Sequence, residues 1–126
     1  MVAKGFVYLV AEAEEGPVKI GRSSDYWKRL KEIQIGNPRP LRLKALLYTR
    51  ECEVIEAQVH DRLGRRRIRG EWFDVSVPAA IVAMQRTIKA RRRMGLAWDA
   101  PSLDDLVTMD VAVSGGRVVG PVADAA

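Results

Sequence analysis

Tyr8, Lys19 and Arg29 fall within the first 29 residues, and each can hold an anion or handle a proton. Their settings are unusual. Tyr8 stands mid-strand where an aliphatic would serve, and Lys19 stands between Val18 and Ile20 with Gly21 following. If the stretch between them folds as a hairpin, the three converge at one end of a sheet, where they could grip a phosphate. The plainer alternative is a surface hydroxyl, a solvated strand lysine and a solvated helical arginine. Glu56 and His60 form a second pair, four residues apart. At about 100° per residue, Cys52, Ile55, Val59 and Leu63 make one apolar helical stripe, and Glu56 lies within about 40° of its centre. An unpaired carboxylate is costly to bury. Glu56 therefore needs a cation, a metal or an arginine partner. The structural alternative is an ion pair with Arg29 or Lys19, with His60 a half-buried spacer.

The elements that must position these residues are legible as patterns. In the stretch FVYLVAEAEEGPVKIGRSSDYWKR, residues 6–29, Phe6, Tyr8 and Val10 alternate with Val7, Leu9 and Ala11, so both faces of the strand are apolar. That marks a central strand, covered front and back. Glu14, Glu15 and Gly16 make the turn and Val18 to Gly21 return. Ser23, Ser24 and Asp25 are N-cap candidates for a helix from about Asp25 to Ile35. Gly36 is free to end that helix at positive φ, and Asn37-Pro38-Arg39-Pro40 forces an extended connection. Leu41 to Thr49 reads as a third strand, with Leu41, Leu43, Ala45 and Leu47 on one face and Arg42, Lys44, Leu46 and Tyr48 on the other. A second helix covers about Arg50 to Leu63. Gly64 to Gly70 is a basic loop, and Trp72 and Phe73 point to opposite faces of a short strand-like run. Ser76 caps a third helix with the stripe Val77, Ile81, Met84 and Ile88. Its end at Arg91, Arg92, Arg93 and Gly95 is explained by the helix dipole.

Charge is divided along the chain. Residues 1–94 carry 20 Lys and Arg against 11 Asp and Glu, a balance of +9, while residues 95–126 carry one Arg against five Asp, a balance of −4. A basic body suits a polyanionic partner such as nucleic acid, and solubility alone is the competing explanation. The sequence therefore divides into a body at residues 1–96 and an acidic tail at 97–126. In the tail, Val107 to Val113 and Arg117 to Val119 could flank a Ser114-Gly115-Gly116 turn as a loose hairpin; disorder or docking on the basic body is the alternative. Cys52 is the only cysteine, so there is no internal disulfide and no Cys/His zinc cluster. No apolar run approaches the roughly 20 residues needed to cross a bilayer. The N-terminus lacks the pattern of a signal peptide. The expected compartment is the reducing cytoplasm.

FVY at 6–8 followed by KIG at 19–21 resembles the GIY-YIG nuclease superfamily. Arg29, eight residues after Gly21, fits the family's helical arginine. RLKEIQIGNP at 29–38, Glu56-x-x-x-His60 and GEWF at 70–73 resemble its KIG-type branch of phage and bacterial DNA-binding proteins, including the meiotically up-regulated type. The resemblance covers residues 5 to 76. It implies an α+β fold, GIY-YIG-like, with a three-stranded antiparallel sheet flanked by helices. It also implies a metal-dependent endonuclease, or a non-catalytic DNA-binding module of the same fold. Carried over, Tyr8 positions or deprotonates the attacking water, Arg29 clamps the phosphate, His60 shares the proton work, and Glu56 holds Mg²⁺ or Mn²⁺. Lys19 replaces the family's second tyrosine, where it would supply charge to the phosphate or lower the pKa of Tyr8. Arg22, Asn37, Arg65, Arg66, Arg67 and Arg69 are the candidate nucleic-acid-binding residues. DNA is the expected partner, with a targeting protein as a second, and removing the acidic tail is expected to strengthen DNA binding.

Overall fold

The structure of the chain, a computed structural model, describes residues 4–95, 100–114 and 117–119. β1 (Gly5–Ala11) and β2 (Val18–Ser23) form the expected hairpin, and α1 (Tyr26–Ile35) follows. Asp25 caps α1 by accepting from the Lys28 N–H at 3.2 Å. Gly36 ends it at φ −84°, not in the left-handed region the sequence suggested. β3 (Leu41–Thr49), α2 (Cys52–Arg62) and a 3-10 turn (Gly64–Arg66) come next. β4 (Arg67–Arg69), β5 (Trp72–Phe73) and α3 (Val77–Met94) complete the body. A second 3-10 turn (Leu103–Asp105) leads into β6 (Leu106–Ser114), and β7 (Arg117–Val119) is the last element among the described residues.

The strands form one antiparallel sheet of seven, in the order β4-β5-β2-β1-β3-β6-β7. The expectation of a three-stranded sheet is therefore corrected, while the α+β class stands. The three expected strands are its centre, and the additions are of two kinds. β4 and β5 are three and two residues long, too short to show a period. β6 falls where the sequence offers one arm of a loose hairpin, but its pairing with the outer edge of β3 from Leu41 to Leu47 is an addition. The β6–β7 hairpin matches the hairpin read from 107–119. Its turn at residues 115–116, like residues 96–99 and 120–126 of the tail, lies outside the described residues.

β1 is the central strand, as its two apolar faces require. Val7, Leu9 and Ala11 face a core shared with Ile55 and Val59 of α2 and with Ala80, Met84 and Ile88 of α3. Tyr8 and Val10 face the opposite core, under Leu30 of α1. Phe73 and Trp72 divide between the two faces as expected. β3 does not keep a single alternation. Its register against β1 jumps from Ala45 to Leu43, leaving Lys44 as a bulge residue. Leu41, Leu43 and Leu46 thus lie on the α1 side, and Ala45 and Leu47 on the other. Lys44 is buried in ion pairs with Glu14 and Asp110, and Asp110 also accepts from Arg42. The polar half of β3 is thereby neutralised by the turn after β1 and by β6.

At the end of α3, Arg91 holds Glu51 through both carboxylate oxygens, at 2.8 to 3.2 Å, and both side chains are largely buried. Arg92 donates to the Ala100 carbonyl at 2.7 Å. These arginines are structural, as the sequence implied, through specific partners as well as the dipole. Glu51→Gln is expected to cost about 3 kcal/mol in urea denaturation at pH 7, because it strands Arg91. Replacing both residues with apolar ones is expected to recover most of that loss.

Candidate functional site

On β2, β5 pairs only with Val18 and Lys19, so the outer edge of β2 is open beyond Ile20. At Ile20 itself one backbone bond and one side chain take the place of the ladder. The Ile20 N–H donates to the Glu71 carbonyl at 3.1 Å, and His60 Nε2 bonds the Ile20 carbonyl at 2.7 Å. A carbonyl only accepts, so His60 carries its proton on Nε2. Its ring also packs 5.0 Å from the Phe73 ring.

Strand alternation sends Tyr8, Lys19, Gly21 and Trp72 to the α1 side, with Tyr8 opposite Gly21 and Lys19 opposite Trp72. Tyr8 is fully buried, with 1 % of its surface exposed. Arg29, reaching down from α1, hydrogen-bonds its hydroxyl and pairs with Glu32 at 3.3 Å. Lys19 pairs with Glu71 at 3.2 Å and lies 5.7 Å from the Trp72 ring centroid. Gly21 is where Tyr8 and Glu71 meet. A Cβ there would stand 2.6 Å from Tyr8 Cζ and 2.7 Å from Glu71 Oε1. The missing side chain is what lets the phenol and the carboxylate converge.

From the other side of the sheet, α2 delivers Glu56 and His60, and β2 delivers Arg22. Arg22 Nε lies 3.4 Å from Glu56 Oε1, and its Nη2 donates to Glu53 at 3.3 Å. The partner of Glu56 is therefore Arg22, not the Arg29 or Lys19 that the sequence offered. Glu56 Oε2 is buried and has no hydrogen-bond partner. Burial raises the Glu56 carboxyl above the usual range and the nearby Glu71 charge adds to this, while His60 and Arg22 oppose it. Burial likewise pushes the Tyr8 phenol up to about 12, against the pull of the Arg29 hydrogen bond. The expected lowering of Tyr8 by Lys19 is corrected, since Glu71 engages that ammonium and the phenol stays neutral at pH 7.

Tyr8, Lys19, Arg29, Glu56, His60 and Arg22 thus gather around the open edge of β2. Glu71 belongs with them and was missed. Its sequence signal was its place in GEWF, which carries no hint that β5 pairs beside Lys19. The candidate nucleic-acid residues are scattered. Arg65 and Arg66 lie exposed in the 3-10 turn, and Arg67 and Arg69 lie exposed on the edge strand β4, beyond β5. Arg67 is held by the Gly70 carbonyl at 2.7 Å and by the Phe73 ring. Asn37 sits elsewhere, tying Glu12 at 3.0 Å to the connection after α1. Among the described residues no three His, Cys, Asp or Glu side chains gather as a metal cage. The unpaired oxygen of Glu56 does fit a hard cation whose remaining ligands are water and phosphate. Among them, too, no helix is long and apolar enough to cross a membrane.

No curated protein and no solved structure matches the chain. One family model does match, that of the T5orf172 domain, over residues 5–93. It overturns the GIY-YIG assignment, for which no family model matches. Lys19, which the sequence set at the second tyrosine of that pattern, is paired with Glu71. The T5orf172 domain is of nuclease-like, DNA-binding type. Its match ends before β6 and β7, which this chain adds to the outer edge of β3. The chain belongs to the T5orf172 domain family.

Proposed function

We propose that this chain is a metal-dependent endonuclease that hydrolyses phosphodiester bonds in DNA at the open edge of β2. The observation that carries this reading is the meeting of a neutral phenol and a carboxylate at a position kept free of a side chain, with the Arg29 guanidinium on that phenol and the Glu56 carboxylate close enough to be felt by both. Arg29 is half exposed at the surface of this group, and its planar fork suits a phosphate better than the Glu32 carboxylate and Tyr8 hydroxyl that it now contacts. Tyr8 stays protonated at neutral pH, so it orients water or phosphate by donating a hydrogen bond. Glu71, the carboxylate beside that phenol, is placed to take the proton from water. His60 has its Nε2 proton committed to the Ile20 carbonyl and acts by holding the edge of β2 beside Glu56. Mg²⁺ or Mn²⁺ held by Glu56 would supply charge stabilisation at the departing oxygen.

Plasmid nicking with Mg²⁺, with Mn²⁺ and with chelator tests this. Cleavage is expected only with metal, and only with Glu56 in place. Unchanged nicking by Glu56→Ala would remove Glu56 from the site. The second reading, a non-catalytic DNA-binding module, is favoured by the Lys19–Glu71 pair and by the lack of a three-ligand cage among the described residues. It is chosen if wild type shifts DNA in a gel and cleaves none. Under either reading the exposed arginines of the 3-10 turn before β4 neutralise phosphates. Arg65→Ala/Arg66→Ala is expected to reduce the slope of log K against log salt by about 2, roughly one unit for each phosphate left without its arginine. An unchanged slope places the DNA elsewhere.

A further inference from the structure

Phe6 lies two residues before Tyr8 on β1, on the same face of the sheet. Directly opposite it on β3 stands Tyr48. The two rings are stacked, with centroids 4.7 Å apart and planes 28° apart. Tyr26, the first residue of α1, also packs on Phe6, at 4.7 Å in a tilted contact. Phe6 is thus an aromatic floor, and Tyr48 is the tile laid on it. Tyr48 is 51 % exposed, and Lys4 Nζ lies 5.0 Å from its ring centroid. A core has no use for a half-exposed tyrosine that is propped from below and topped by a cation. A ligand with a flat π-face and negative charge uses both: its base takes the ring face over which Lys4 lies, and its charge draws the flexible Lys4 side chain aside.

We propose that Tyr48 is a stacking platform for an unpaired base of the bound nucleic-acid strand, with Lys4 on the adjoining phosphate. This rests on the nucleic-acid reading above and adds the structure of the substrate. The geometry relates the platform to the cleavage site. Phe6 and Tyr8 are about 7 Å apart along β1, the rise of two strand residues. That is about two steps of a nucleic-acid strand at 3.4 Å each. Arg29 follows Tyr26 by three residues on α1, so it stands on the same helix face one turn on. A strand with its phosphate at Arg29 therefore passes the platform within one or two nucleotides. Base-to-aromatic stacking needs a free π-face, which a base inside a duplex does not offer. The preferred substrate accordingly has an unpaired segment next to the bond to be cut. The platform is indifferent to base identity, since every base has a π-face.

The test uses the full chain as wild type, Tyr48→Ala and Tyr48→Phe. Each is titrated by fluorescence anisotropy, without metal, against a blunt duplex and against the same duplex carrying a six-nucleotide overhang. A 2-aminopurine in the overhang reports stacking directly. Wild type is expected to favour the overhang, Tyr48→Ala to lose about tenfold on it and little on the blunt duplex, and Tyr48→Phe to keep the preference. The 2-aminopurine is expected to be quenched by wild type and Tyr48→Phe and not by Tyr48→Ala. Equal losses on both DNAs, or none, with wild type still binding, overturn the platform and leave the nucleic-acid reading intact. Wild type that binds neither DNA overturns both. A dimer that Tyr48→Ala dissolves while overhang affinity stays the same overturns the proposal in favour of an interface between copies.

Discussion

Glu56→Gln is expected to abolish metal-dependent cleavage while leaving the fold as stable as before, or more so. A divalent cation contributes several kcal/mol of charge stabilisation in such reactions. At 1.36 kcal/mol per decade, its loss lowers the rate by about a thousandfold. Stability should move the other way because of how Glu56 is placed. The carboxylate is 13 % exposed, one oxygen has no partner, and the other meets only Arg22, which is itself 44 % exposed. An ion pair to so exposed a cation contributes at most about 1 kcal/mol, and an unsatisfied buried charged oxygen costs at least that. The folded protein therefore holds the Glu56 proton more tightly than the unfolded chain does. Its contribution to stability declines as pH rises from the ordinary carboxyl value of 4.5 to the raised native one, and is level beyond. Gln removes that decline, so the difference between variant and wild type, measured by urea denaturation at pH 4 and pH 7, should grow toward pH 7. Mn²⁺ at a hundred times its dissociation constant should stabilise wild type by about 2.7 kcal/mol and the variant not at all. A variant that loses more than about 1 kcal/mol at pH 7 would make Glu56 a structural residue and sink the metal assignment.

Much of this site could be read before the fold was known, because it sits where local patterns are strong. Two apolar faces on residues 6–11 placed β1 at the centre, and helical spacing set Glu56 against an apolar stripe. Both inferences rest on period alone and both hold. What pattern could not supply was who meets whom. Glu56 found Arg22 instead of Arg29 because Arg22 lies on the α2 side of β2 and Arg29 belongs to the helix on the opposite side. Glu71 was invisible because a two-residue strand has no period and its pairing with Lys19 is a long-range fact. β3 misled through Lys44, since one bulge residue reverses every side chain beyond it. For β6 the strand was legible and its place was not, because the contacts of Asp110 with Arg42 and Lys44 that seat it on β3 are long-range. That pairing also changes the meaning of a tail deletion. Cutting at residue 97 takes away the strand that covers β3, so its effect on DNA binding cannot be separated from damage to the sheet.

Gly21→Ala is expected to silence the site at a modest cost in stability, and the reason is contact, not backbone freedom. Among the described residues positive φ occurs at Gly16, Gly70 and Gly95, and Gly21 is not one of them, so alanine suits its strand conformation. The added methyl, however, would meet Tyr8 Cζ at 2.6 Å and Glu71 Oε1 at 2.7 Å. Tyr8 is held in the core between Arg29 and the sheet and cannot swing away, so Glu71 and the edge of β2 must give. Overpacking of this kind costs about 1 to 3 kcal/mol. A displacement of about 1 Å at reacting groups lowers rates by about a hundredfold. Removing the Tyr8 hydroxyl should not rescue the variant, because the ring carbon at 2.6 Å remains in Tyr8→Phe. Glu71→Ala should relieve part of the stability loss and none of the activity loss. Gly70→Ala is the matched control. Its φ of 54° disfavours alanine by about 1 kcal/mol, yet nothing lies within 4 Å of the new methyl, so cleavage should persist. If Gly21→Ala cleaves DNA like wild type while Gly70→Ala does not, the chemistry lies at the β4–β5 turn and the convergence at Gly21 is packing alone.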